Sequence, residues 1–187
     1  MPAFSKKLGN ELLHIARETV NAAFSNRNLH LKPDVRKKLS EEIGVFVNIY
    51  KKKELRGSFG YPPGTFKLAD GIKRAARGAA FMDPRFRNLT KAEFTNVRFE
   101  VVLIKEVKEL KVKKPEEYFK KINPKKHGLM IRYGPFKAMQ LPIFAMRRGF
   151  TSRDYLEKTI EKSGLAPEEW KNSNLKVYTF TTMMFSE

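Results

Sequence analysis

The segment Leu55-Arg56-Gly57-Ser58-Phe59-Gly60 places a guanidinium and a hydroxyl two positions apart in a strand-like run that also holds two glycines. Strict alternation sets Leu55, Gly57 and Phe59 on one face and Arg56, Ser58 and Gly60 on the other, so a cation and a hydroxyl share a face that glycine leaves uncrowded. The rigid fork of Arg56 suits a carboxylate or a phosphate. Its structural alternative is an ion pair within the sheet, for which Glu100 is the obvious partner, and a paired arginine still keeps one edge for a ligand. Ser58 as a nucleophile needs a positioned base. It lacks the Gly-x-Ser-x-Gly elbow of a hydrolase, because Arg56 and Gly60 bracket it instead. In Asp83-Pro84-Arg85-Phe86, Asp83 is placed to accept backbone amides while Pro84 fixes the turn and presents Arg85. Convergence of Arg85 on Arg56 would make an anion site. The ligand-binding set read from these segments is therefore Arg56, Gly57, Ser58, Gly60, Asp83 and Arg85.

Several kinds of chemistry are excluded by composition. The chain has no cysteine, which removes disulfides, thiolate nucleophiles and cysteine-held metals. His14, His30 and His127 show no metal-ligand spacing, so neither a metal nor another cofactor is expected. A net charge of +18, from 38 Lys and Arg against 20 Asp and Glu, favours nucleic acid, anionic lipid or acidic partners, or else a solvated lysine-rich surface. No apolar run is long enough to span a membrane, and Met1-Pro2-Ala3-Phe4-Ser5-Lys6-Lys7 does not lead into a signal-peptide core. These features predict a soluble cytoplasmic protein with no membrane partner. At 187 residues the chain has room for one domain, undivided or built of two lobes.

Periodicity supplies the elements that must position these groups. Helical spacing predicts an amphipathic helix over residues 5–24 and a shorter one from Val35 to Ile43 that ends at Gly44. Val45 to Tyr50 reads as an interior strand, joined through the charged turn Lys51-Lys52-Lys53-Glu54 to residues 55–60 in an antiparallel hairpin. Tyr61-Pro62-Pro63-Gly64 is a loop. Residues 67–81 form a helix whose inner stripe of Leu68, Ile72, Ala75, Ala76, Ala79 and Ala80 implies close packing. Val97 to Ile104 is the strongest strand, with Val97, Phe99, Val101 and Leu103 on one face and Arg98 and Glu100 on the other. The lysine-dense stretch 105–126 carries interspersed glutamates and is neither low-complexity nor disordered throughout. Strands follow at 129–133 and 136–141 around Gly134-Pro135. A capping box at Thr151-Ser152-Arg153-Asp154 opens a helix that stops near Gly164. Pro167 to Trp170 reads as one helical turn and Lys176 to Phe180 as a last strand. Hairpins and helices that do not alternate regularly predict an α+β fold, mainly antiparallel sheet with packed helices.

Ordered blocks through the chain carry a family resemblance. They are Gly44-Val45-Phe46-Val47, the 55–60 hexapeptide, Ala79-Ala80-Phe81-Met82-Asp83-Pro84-Arg85-Phe86, His127-Gly128-Leu129, Leu141-Pro142, Lys162-Ser163-Gly164-Leu165 through Trp170, and Phe185-Ser186-Glu187. In this order and spacing they resemble the AMMECR-one family along most of residues 8–187. The resemblance implies one α+β domain over residues 1–187, described as a larger and a smaller lobe whose boundary the sequence does not mark. It also implies no assigned catalytic activity, and a place beside Memo-like and radical-SAM proteins in a modification pathway. Family context makes His127 the base to consider for Ser58. Relatives usually have cysteine where this chain has Ser58, isoleucine where it has Phe59 and glutamine where it has Ile143. A mechanism that requires the thiol would be impaired here.

Three functional readings follow. The first is a binding or accessory protein that takes an anionic small molecule or a partner's segment over the Arg56 face. The second is an enzyme at the same face, with Ser58, His127, Glu100 or Asp83 as nucleophile, base or acid. The third is a basic RNA- or DNA-binding protein that uses the lysines of 105–126 with Arg147 and Arg148 along a phosphate backbone, and Tyr118, Phe119 and Tyr133 for stacking.

Overall fold

The computed structural model describes residues 5–187, whose contacts divide into two units. The first runs from residue 5 to Ile104 and takes in Met183–Glu187; the second is Lys105–Thr182. The chain is α+β, with antiparallel strand pairs and packed helices in both units.

In the first unit, β1 (Val45–Lys51) and β2 (Glu54–Tyr61) form the expected hairpin, and the first part of β3 (Val97–Glu109) pairs with the other side of β1. β1 is therefore an interior strand, as its two apolar faces predict, and β2 is an edge strand. Val45, Val47 and Ile49 lie opposite Leu103, Val101 and Phe99, and all six are buried. Helix α3 (Leu68–Phe81) covers this face, and α1 (Lys6–Ala23) packs against α3.

The stripe of small residues on α3 is what allows this approach. A Cβ on Gly57 of β2 would stand 2.0 Å from the Ala79 carbonyl oxygen, and one on Gly78 would stand 2.4 Å from the Phe59 ring. Helix and strand meet backbone to backbone at Gly57, with the Phe59 ring resting on Gly78 alongside.

α2 (Pro33–Lys38) stops earlier than its sequence predicts. Beyond it, the Leu39 and Glu41 carbonyls accept hydrogen bonds from the Ala69 and Leu68 amides at the start of α3. Lys67, at the N-cap of α3, provides no side-chain cap. The chain after α2 thus unwinds to satisfy amides that α3 would otherwise leave orphaned. A short helix the periodicity missed, α4 (Lys91–Phe94), is opened by a capping box between Thr90 and Glu93.

The first unit is tied to its last residue by Arg17 of α1. Its Nε and Nη2 donate to the two carboxylate oxygens of Glu187, each at 2.6 Å, and Nη2 also donates to the Val97 carbonyl at 2.7 Å. The Glu187 carboxylate in turn accepts the Phe99 amide at 2.7 Å, while the guanidinium lies over the Phe94 and Phe99 rings. Arg17→Ala is expected to cost about 2 kcal/mol in chemical denaturation, since it removes a bidentate charge-assisted pair and ring packing together. In a Glu187→Ala background the same change should cost less, as partners in one network are not additive.

In the second unit, β4 (Gly128–Tyr133) and β5 (Phe136–Gln140) form a hairpin around Gly134, whose φ of 54° takes the left-handed turn position. β4 also pairs with the first part of β6 (Lys176–Ser186). Both β3 and β6 run longer than expected. The lysine-dense stretch is ordered, continuing β3 to Glu109 and then forming α5 (Glu117–Lys121). The predicted capping box is present: Thr151 and Asp154 open α7 (Ser152–Glu161). Pro167–Lys171 forms one 3-10 turn. An unexpected helix, α6 (Pro142–Arg148), carries proline in its first turn and ends at Gly149 with φ 63°, the usual pair of start and stop residues. The core of this unit gathers Leu129, Ile131, Tyr155, Leu156, Ile160, Trp170 and Val177.

Among the described residues, no helix is long and apolar enough to cross a membrane.

Candidate functional site

The hexapeptide is β2, and its alternation is broken where the chemistry was expected. Ile49 of β1 lies opposite Gly57, but Tyr50 lies opposite Leu55, so Arg56 is the extra residue of a β-bulge. Leu55 is thereby turned to the face that carries Ser58, and the strict alternation read from the sequence fails at this point. Arg56 is re-aimed toward the chain that follows α3.

That chain docks along the open edge of β2. Arg56 Nη1 donates to the Arg87 carbonyl at 2.9 Å and Nη2 to the Asn88 carbonyl at 3.3 Å. Nε and Nη2 also grip Glu93 through both carboxylate oxygens, at 3.2 and 3.0 Å. The ion-pair partner of Arg56 is thus Glu93 of α4. Glu100, the partner expected from the sequence, accepts instead from Asn48 and Tyr50. Arg56, with Lys51 and the Thr90 amide, holds the Glu93 carboxyl down at about 2.

Asp83 and Ser58 meet at the same edge. The Ser58 amide donates to Asp83 Oδ2 at 2.8 Å, and Arg85 binds the same carboxylate through its backbone amide, Nε and Nη2. Burial by itself pushes the Asp83 carboxyl up, yet the side-chain and backbone bonds from Arg85 and the Ser58 amide outweigh it, and the net direction is down. A buried carboxylate on an outward-facing strand amide is also an edge guard, because it occupies a donor that another strand could have used.

The Ser58 hydroxyl donates to Asn48 Oδ1 at 2.7 Å, and Asn48 Nδ2 donates to Glu100 Oε1 at 2.8 Å. Tyr50 also donates to Glu100 Oε1, at 3.3 Å. This row is set by strand register, since Asn48 lies opposite both Ser58 and Glu100. An amide oxygen is no general base, so the row orders the Ser58 hydroxyl without activating it. His127 lies in the second unit, where its Nδ1 accepts the Asn123 amide at 3.1 Å and burial lowers its pKa.

Gly57 and Gly60 serve packing: a Cβ on Gly60 would sit 2.3 Å from the Phe46 ring. Ser58, Asp83 and Arg85 are joined through the Asp83 carboxylate, Arg56 is joined separately to Glu93, and each arginine is thus already engaged by a carboxylate of its own. Two members escaped the sequence reading. Asn48 carried a signal, a polar residue inside an otherwise apolar strand. Glu93 carried a weaker one, the Thr-x-x-Glu spacing of a capping box.

The free charge lies next to this construction. An open groove of about 730 Å³ is lined by Lys51, Lys52, Lys53, Glu54, Leu55, Arg56 and Phe86. Lys51 shares Glu93 with Arg56. Lys52 and Lys53, exposed at the hairpin turn, form no ion pair among the described residues. Leu55 and Phe86, both partly buried, give the groove an apolar wall beneath a cationic lip.

The AMMECR1 family model matches residues 13–185. A protein of Nanoarchaeum equitans is 34% identical over 177 residues, covering 94% of this chain and 98% of its own. One of Aquifex aeolicus is 36% identical over 179 residues, covering 95% and 91%. The crystal structure of an uncharacterized protein from Pyrococcus horikoshii is similar with a TM-score of 0.89 at 28% identity, covering 97% of this chain and 92% of that one.

Proposed function

We propose that this chain, which belongs to the AMMECR1 family, is a recognition protein that binds an anionic segment of a partner, or a small anion of the same chemistry, in the groove at the β1–β2 hairpin. The observation that carries this reading is the division of charge there. Arg56 is committed to Glu93 and to two carbonyls, whereas Lys52 and Lys53 on the lip form no ion pair among the described residues. Their field attracts a carboxylate or phosphate, and the wall of Leu55 and Phe86 takes an apolar side chain next to it. Arg56 is then the brace of the site, and the lysines are its contact. Family membership supports placing this recognition step in a modification pathway with Memo-like and radical-SAM proteins. The enzyme reading has less support, because the Ser58 hydroxyl is directed at a neutral amide.

The test is fluorescence anisotropy with a short glutamate-rich peptide carrying one phenylalanine. Lys52→Glu/Lys53→Glu is expected to weaken binding by about tenfold or more, and Ser58→Ala to leave it within about twofold. Equal affinity for wild type and the double lysine variant would refute the assignment.

A further inference from the structure

A second cationic groove lies on the first unit, against α3 and the end of α1, away from the hairpin. It has a volume of about 330 Å³, within the range of small-molecule sites, and its lining includes Arg27, Lys73, Arg74, Arg77 and a single carboxylate, Asp70. Lys73 and Arg77 stand one helical turn apart on α3 and so share a face, with Arg74 beside them.

Two of these cations, Arg77 and Arg74, are held in place without being neutralised. Arg77 Nη1 donates to Asn28 Oδ1 at 3.0 Å, a neutral partner that leaves the rest of the guanidinium available. The Arg74 guanidinium lies 4.7 Å from the centre of the Phe66 ring, which orients it while keeping its charge. Asp70 divides its carboxylate between Lys73, at 3.2 Å, and Arg36, at 3.3 Å. The Arg27 side chain has no hydrogen bond or ion pair among the described residues. Four cations around a concave space of this size exceed what one carboxylate ligand would balance, and three of them are planar forks that match phosphate oxygens in pairs.

We propose that this groove binds a compact phosphate-bearing ligand of the diphosphate type, with Arg27 and Arg77 as its principal contacts. Arg74 flanks them, and the charge of Lys73 is partly released from Asp70 through the competing Arg36 bond. The ligand's phosphates are either those of a small molecule or those of a nucleic-acid backbone, and the small volume of the groove favours the small molecule.

Calorimetric titration with inorganic pyrophosphate tests this. The wild type is expected to bind one equivalent, more weakly as salt is raised. Arg27→Gln, which removes no hydrogen bond or ion pair among the described residues, and Arg77→Gln should each weaken binding severalfold, and the pair by about tenfold or more. Lys52→Glu/Lys53→Glu, which acts on the hairpin groove, should weaken pyrophosphate binding far less than Arg27→Gln/Arg77→Gln does, which separates this groove from the hairpin. Absence of saturable binding, or affinity unaltered in the Arg27→Gln/Arg77→Gln variant, overturns the proposal. A short single-stranded oligonucleotide provides the second arm. If it binds about tenfold or more tightly per phosphate than pyrophosphate and depends on the same arginines, the compact ligand is overturned in favour of a polymer backbone.

Discussion

Gly57→Ala destabilises the first unit by about 3 kcal/mol. The added Cβ would lie 2.0 Å from the carbonyl oxygen of Ala79, far inside van der Waals contact. The obstacle is backbone, in the last turn of α3, so no rotamer change relieves it. Either β2 moves off the helix or α3 shifts along the sheet, and each loses burial of Phe59, Ile49 and Ala79. Ser58→Ala is the matched control. It removes one hydroxyl bond to Asn48 and should cost about 1 kcal/mol. Urea denaturation of the two variants distinguishes them, and an alanine at position 57 tolerated as well as one at position 58 would contradict the close helix–strand approach.

Arg56→Ala costs about 2 to 3 kcal/mol near neutral pH, because it strips Glu93 of its bidentate partner and leaves the Arg87 and Asn88 carbonyls without that donor. This effect depends on pH with a definite sign. The folded-state pKa of Glu93 is depressed to about 2, below the ordinary glutamate value of about 4.3 in an unfolded chain. The stability contributed by the pair is therefore fully present above that ordinary value and is lost as pH falls through it toward about 2. Lys51 still faces Glu93 in the variant, so the carboxyl climbs only part of the way back. The stability gap between wild type and Arg56→Ala should narrow steadily on acidification from about pH 5 to about pH 2. A gap that stays constant across that range would mean that the ion pair is not the source of the loss. Arg56→Lys restores charge without the fork and should recover only part of the stability.

Local signals in the sequence were enough for the hairpin, for α3 with its small-residue stripe and for the capped start of α7. Each of these is specified by residues within a few positions of one another. The family resemblance rested on ordered blocks and is matched by a family model over residues 13–185. What could not be read depends on residues far apart in the chain. Arg56 was placed by alternation on the Ser58 face and given Glu100 as partner, but a bulge opposite Tyr50 turns it toward Glu93. A bulge changes register by one residue and leaves almost no trace in composition. α2 ends early because its successor residues cap α3, a demand made by a helix about thirty positions away. Ser58 looked like a group awaiting a base. Its hydroxyl instead begins a row through Asn48 to Glu100 that exists only because three strands stand in one register.

The same reasoning moves the functional weight within one short segment. The guanidinium that looked like the ligand hook is a brace, and the turn lysines that looked like a mere connector carry the unbalanced charge. Mapping the amide shifts of isotopically labelled protein during titration with the glutamate-rich peptide tests this most directly. The expected result is a saturable set of changes confined to the hairpin turn, residues 51–56, and the docked loop around Phe86, abolished by Lys52→Glu/Lys53→Glu. Shifts that cluster elsewhere, or that persist in the double variant, would contradict recognition at the hairpin.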